Sequence, residues 1–99
     1  MSRSKNGAER LAYFLLEHVD RLIALDLGQD AMSYFPLQRR HLADLLGLSE
    51  THVSRSMQEL RRGDLAAIAA NSLVIRNRQR MIKLSGYTPP TPERPRLLL

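Results

Sequence analysis

The sequence contains no cysteine and no tryptophan. Without thiols, disulfides, zinc–thiolate sites and iron–sulfur clusters are excluded, so stability has to come from packing. The three histidines, His18, His41 and His52, share no metal-ligand spacing, and no metal is expected. No apolar run approaches the roughly 18 residues needed to cross a bilayer, and no basic, apolar, small-residue leader opens the chain. Together with the missing thiols this reads as a soluble, cytoplasmic protein. The chain also lacks a nucleophile–base pair, a carboxylate dyad and a phosphate-cradling glycine loop, so neither an enzyme nor a cofactor is expected.

What remains is small and basic. Ninety-nine residues suffice for one domain, and a 43% hydrophobic share supplies a modest core. The net charge of +5 is uneven. Residues 1–30 carry four Lys/Arg against five Asp/Glu, residues 31–63 five against three, and residues 64–99 six against two. Thirteen of the fifteen cations are arginine, whose rigid fork matches phosphates and guanine edges. That bias favours a nucleic-acid partner over a generic solubilising charge.

The periodicity predicts mostly helix. Asn6 and Glu9 have capping-box spacing, Leu11, Phe14, Leu15, Val19, Leu22 and Ile23 then recur on one helical stripe, and Gly28 sits where its C-terminal cap is expected. Phe35-Pro36-Leu37 interrupts the pattern. A second helix is expected over 38–46, burying Leu42, Leu45 and Leu46. Gly47 stops it in the left-handed conformation. Ser49 caps a third helix that buries Val53, Met57 and Leu60 and runs to Arg62, with Gly63 expected to close it in the same left-handed manner. Residues 65–76 suggest a β-hairpin turning at Asn71-Ser72. Asn77 caps a last short helix closed by Gly86, along which Arg76, Arg80 and Lys83 form a basic stripe. The fold class predicted is mainly α with a small β-hairpin: a three-helix core, a β wing and a short C-terminal helix. Residues 1–5 form an N-terminal tail, 6–86 the domain, and 87–99 a proline-rich tail without regular structure.

The corner between the second and third helices carries more information. Ala43 is small where two helices must cross closely, Gly47 permits a sharp turn four residues on, and Val53 can lock the following helix onto its predecessor. Such a corner in a helical trio is the helix-turn-helix arrangement that presents one helix to the DNA major groove.

QRRHLADLLGLSETHVSRSMQELRRGDL, the hairpin after it and the upstream ERLAYFLLEHVDRL resemble the DNA-binding domain of the Crp/Fnr family of bacterial transcription regulators. The likeness covers about residues 9–87. It implies a winged helix-turn-helix with the segment 49–62 as recognition helix, and the docking geometry of helix-turn-helix proteins, a group that includes a member of this family. The resemblance implies base-reading by Arg55, with Ser54, Thr51 and Glu50 beside it. Arg55 has an independent warrant, since a guanidinium can donate twice to guanine. Many family members have a glutamate where Thr51 stands; here the acid is Glu50, about 100° away around a helix. Glu50 can reach a base or simply favour the positive helix N-terminus, and the family's usual recognition sequence does not carry over.

Gln38, Arg39, Arg40, Ser49 and His52 match positions that approach phosphates in the family, and Asn71 and Ser72 would do so at the wing tip. Double-stranded DNA is the implied partner. RNA polymerase is a further one to weigh, and a homodimer is expected only where a dimerisation helix is present. Family members carry an effector-binding β-roll and that helix ahead of this domain, so the chain is expected to be a fragment of a larger regulator in preference to a stand-alone DNA reader. The alternative function is a winged-helix protein-interaction module; the polar face of 49–62, without apolar anchors, favours DNA.

Overall fold

The computed structural model describes residues 6–24, 32–35, 37–69 and 72–89. Helix α1 spans Gly7–Ala24. Its start is the predicted reciprocal pair: the Glu9 N–H donates to Asn6 Oδ1 at 2.8 Å and the Asn6 N–H to Glu9 Oε1 at 2.9 Å. Leu11, Leu15, Leu16 and Val19 are buried along its inner stripe. Ile23, expected on that stripe, is instead exposed in the last turn. Gly28, Pro36 and Asn71 lie outside the described residues.

The strand β1, Met32–Tyr34, had no counterpart in the sequence reading. It is three residues long and pairs antiparallel with β3, Ser72–Ile75, through Met32↔Val74, Ser33↔Leu73 and Tyr34↔Ser72. Strand β2, Ala66–Ala69, pairs along the other edge of β3, so the wing is a three-stranded sheet in the order β1-β3-β2. Ser72 pairs with Ala69 within this ladder and so belongs to a strand, not to the turn in which it was predicted. Phe35 follows β1 and is fully buried, edge-on to Phe14 and His18 of α1, which anchors the wing's outer strand to the body.

Helix α2, Arg39–Leu46, and helix α3, Glu50–Arg62, meet at Gly47, which adopts the left-handed conformation at φ 69°. The N–H groups of Gly47 and Leu48 both donate to the Ala43 carbonyl, the closure expected of a glycine-terminated helix. Arg10 of α1 donates to the Leu46 carbonyl at 2.9 Å, supplying a partner for another end-of-helix acceptor. Leu42 and Ala43 are buried, Leu46 is half-buried, and Leu45 is 60% exposed, against expectation. In an eight-residue helix the buried arc centres between Leu42 and Leu46; Leu45, one step of about 100° off that arc, turns to solvent.

At the end of α3 the left-handed residue is Asp64 (φ 59°), not Gly63, whose φ is −80°. The Leu65 N–H donates to the Leu60 carbonyl at 2.9 Å, so the chain reverses one residue later than predicted. Asn77 caps α4, Arg78–Ser85, by accepting from the Arg80 N–H, and Gly86 ends it at φ 75°. Helices α3 and α4 both pack on α1. Tyr87, placed by sequence at the head of the tail, is buried and belongs to the folded body.

Candidate nucleic-acid interface

The body holds α3 by one side only. Val53, Ser56 and Leu60 are buried, and Met57 packs against the core at its margin. The approach of α1 is close because position 7 is glycine: a Cβ there would run into Ser56 Oγ. Ser49 Oγ accepts from the His52 N–H at 3.1 Å, as predicted, and fixes where α3 begins. Successive turns then expose Thr51, Arg55, Gln58 and Arg62 on the side away from the core. Glu50 and His52 are also exposed.

Ser54 differs from its neighbours. It lies about 100° from Arg55 around the helix, half-buried at the edge facing α2, and its Oγ accepts from Arg39 Nη1 at 2.9 Å. The hydrogen bond joins the first residue of α2 to the middle of α3, bringing together a residue expected on phosphate and one expected on a base. Arg39, Ser54, Met57, Gln58, Arg61 and Ile68 line a cleft of about 190 Å³ between these helices and β2. A wider depression of about 500 Å³ continues from it past Gln38, Arg40 and Glu50 to Ala69. The N-terminal ends of α2 and α3 therefore open on one continuous surface with the wing beside it.

That surface is rich in unpaired arginine. Among the described residues, Arg39, Arg40, Arg55, Arg61 and Arg62 form no salt bridge, whereas Arg21, Arg76 and Arg78 pair with Glu17, Asp64 and Asp20. Arg61 was expected on the polar face of 49–62 but was assigned no contact. The spacing that reveals it is plain, since seven residues return a helix to the same side as Ser54.

Two expectations take a different form. Arg76 precedes α4 and its Nε sits 2.8 Å from Asp64 Oδ1, so it does not continue a basic stripe through Arg80 and Lys83. Ser72 Oγ donates to the Ala69 carbonyl at 3.2 Å, which commits the hydroxyl to the wing itself. His41 contributes at a place assigned no role: its Nδ1 accepts from the Gln38 N–H at 3.2 Å and closes the first turn of α2.

A model of the Crp-like helix-turn-helix domain matches residues 9–84. The chain belongs to the Crp-like helix-turn-helix domain family. Its structure is similar to FixK2 from Bradyrhizobium japonicum, at 35% identity and a TM-score of 0.67, over 88% of this chain and 41% of that one. It is also similar in fold to reduced CprK without ligand, at 16% identity and a TM-score of 0.70, over 85% of this chain and 40% of the other. A cAMP-binding regulatory protein from Silicibacter pomeroyi DSS-3, described as putative, shares the fold at 21% identity and a TM-score of 0.65, over 85% and 34% respectively. The chain thus spans about two fifths of the length of the structures it matches. No curated protein sequence matches it. No described helix is long and apolar enough to cross a membrane.

Proposed function

We propose that this domain binds double-stranded DNA sequence-specifically in the control of transcription, with α3 entering the major groove. Family membership supports DNA-binding regulation in general. The finer reading rests on one observation: Arg55 stands exposed and unpaired on the outward side of a helix whose opposite side is locked into the core. A guanidinium so placed can donate to guanine O6 and N7 together, worth roughly 1–3 kcal/mol of discrimination. Thr51, Ser54 and Glu50 flank it as further base contacts. Gln38, Arg39, Arg40, Ser49 and His52 suit the phosphates on either side, where they set register without reading sequence. The wing's contribution is the backbone near Ser72, together with Asn71. RNA polymerase is a proposed further partner, and pairing with a second copy is proposed for a longer chain with a dimerisation helix.

A protein-interaction role for α3 is disfavoured by its exposed side, where Thr51, Arg55, Gln58 and Arg62 offer no aromatic or aliphatic anchor. The test is a titration of labelled duplexes, drawn from the regulator's genomic binding regions, at rising salt. A single module buries roughly 600–1,000 Å² on DNA, so affinity should be modest, and counterion release should make it fall steeply as salt rises. Arg55→Ala should cost about 1–3 kcal/mol on the preferred duplex and little on a scrambled one. Equal loss on both, or binding indifferent to salt, would count against base reading by α3.

A further inference from the structure

A serine hydroxyl is an ambiguous reader of bases. It has one proton to donate and two lone pairs to accept with, so it can face a base acceptor or an exocyclic amine. Here the ambiguity is reduced. Arg39 Nη1 occupies one lone pair of Ser54 Oγ. Ser56, two residues further along the same helix, donates its proton to the His52 carbonyl four residues earlier at 2.9 Å. Among the described residues Ser54 makes no such bond, so its proton remains free to point outward. A fixed positive charge also stands beside the oxygen, and Arg61 lines the same cleft.

We propose that Arg39 is a specificity-determining residue: by holding Ser54 as a hydrogen-bond donor, it makes α3 prefer an acceptor edge at the base that Ser54 meets. Guanine, through N7 or O6, and thymine, through O4, present acceptors in the major groove. Cytosine presents only the donor of its exocyclic amine, and adenine an amine donor beside its N7 acceptor. An amine arriving at Ser54 would bring its partly positive hydrogens toward a guanidinium and compete for the one lone pair left. An acceptor meets a free proton in a positive field. Arg39 can do this and still touch a phosphate, because a guanidinium has five N–H donors and Ser54 uses one. The inference rests on the DNA-binding reading above and adds to it a predicted base preference and the residue that sets it.

Selection from a randomised duplex library at low salt tests it with the full chain, comparing wild type, Arg39→Gln, Ser54→Ala and the double variant. The wild type should exclude C at one position, and Ser54→Ala should flatten that position alone. Arg39→Gln should admit C there, with discrimination falling about three- to tenfold, the worth of one hydrogen bond, while other positions keep their preferences. In the Ser54→Ala background, Arg39→Gln should change nothing further at that position. A merely phosphate-binding Arg39 would instead weaken all sequences alike and leave that preference intact, which overturns the proposal. So would a wild-type preference for C that Ser54→Ala abolishes. Failure of the wild type to enrich any sequence would overturn the DNA-binding reading itself, and with it this inference.

Discussion

The Tyr87 hydroxyl donates to Asp20 Oδ2 at 2.7 Å, across 67 residues of chain, and Arg78 donates to the same oxygen at 2.9 Å. Asp20 is buried, so both donors are needed to satisfy a carboxylate removed from water. Tyr87 also meets the Tyr13 ring edge-on at 5.2 Å. The residue after α4 and its cap therefore ties the end of the domain back to α1.

Tyr87→Phe keeps the ring and loses one hydrogen bond, and should lower stability by about 1 kcal/mol. Thermal unfolding would register that as a fall of about 4–8 °C in Tm. Tyr87→Ala should cost about 3 kcal/mol or more, as buried aromatic truncations do. A chain ending at Gly86 should behave like Tyr87→Ala.

Gly7 and Ser56 form a steric pair. A methyl at position 7 has to displace Ser56 Oγ, which is held by the His52 carbonyl. Gly7→Ala should destabilise by about 1–3 kcal/mol through overpacking. Ser56→Ala removes the obstructing oxygen, so the double variant should be less destabilised than the two single losses added together. Urea denaturation of all four proteins measures the coupling directly.

Asp64 bears a left-handed backbone with a Cβ attached, at a cost of roughly 1–2 kcal/mol for most side chains and less for aspartate. Asp64→Ala should lose about 1 kcal/mol. Asp64→Gly should match or exceed wild type, because the ion pair with Arg76 that it forfeits is solvent-exposed and worth little. Chemical denaturation midpoints distinguish the two substitutions.

Leu42 and Leu45 separate the buried and exposed sides of α2. Leu42→Ala should cost about 2–5 kcal/mol, whereas Leu45→Gln should stay within about 0.5 kcal/mol of wild type. A large loss from Leu45→Gln would mean that this face is covered in the folded protein.

Features carried by neighbouring residues were legible in the sequence. The Asn6–Glu9 reciprocal pair, the Ser49 and Asn77 caps and the glycine stops at 47 and 86 all appear where they were expected. The exposure of Thr51, Arg55 and Gln58 on the outward side of α3 followed from helical period, whereas Ser54, expected on the same face, is half-buried. Less legible was β1, whose three residues carry no alternation and hold their place by bonding to β3 some forty residues later. Leu45 misled because a leucine in a short helix reads as core until its neighbours fix the arc that is buried. Gly63 misled because glycine is the cheapest left-handed residue, yet the reversal falls on Asp64, where the hairpin's path requires it.

Bonds between residues three to five apart need only the local backbone, so composition and spacing settled the helices, their caps and the sharp corner at Gly47. Which arginines are free and which are consumed by ion pairs, and that Arg39 grips Ser54 from another helix, depends on how separate helices cross. Packing decides that, because a side chain's partner across the core is set by the positions of every element at once.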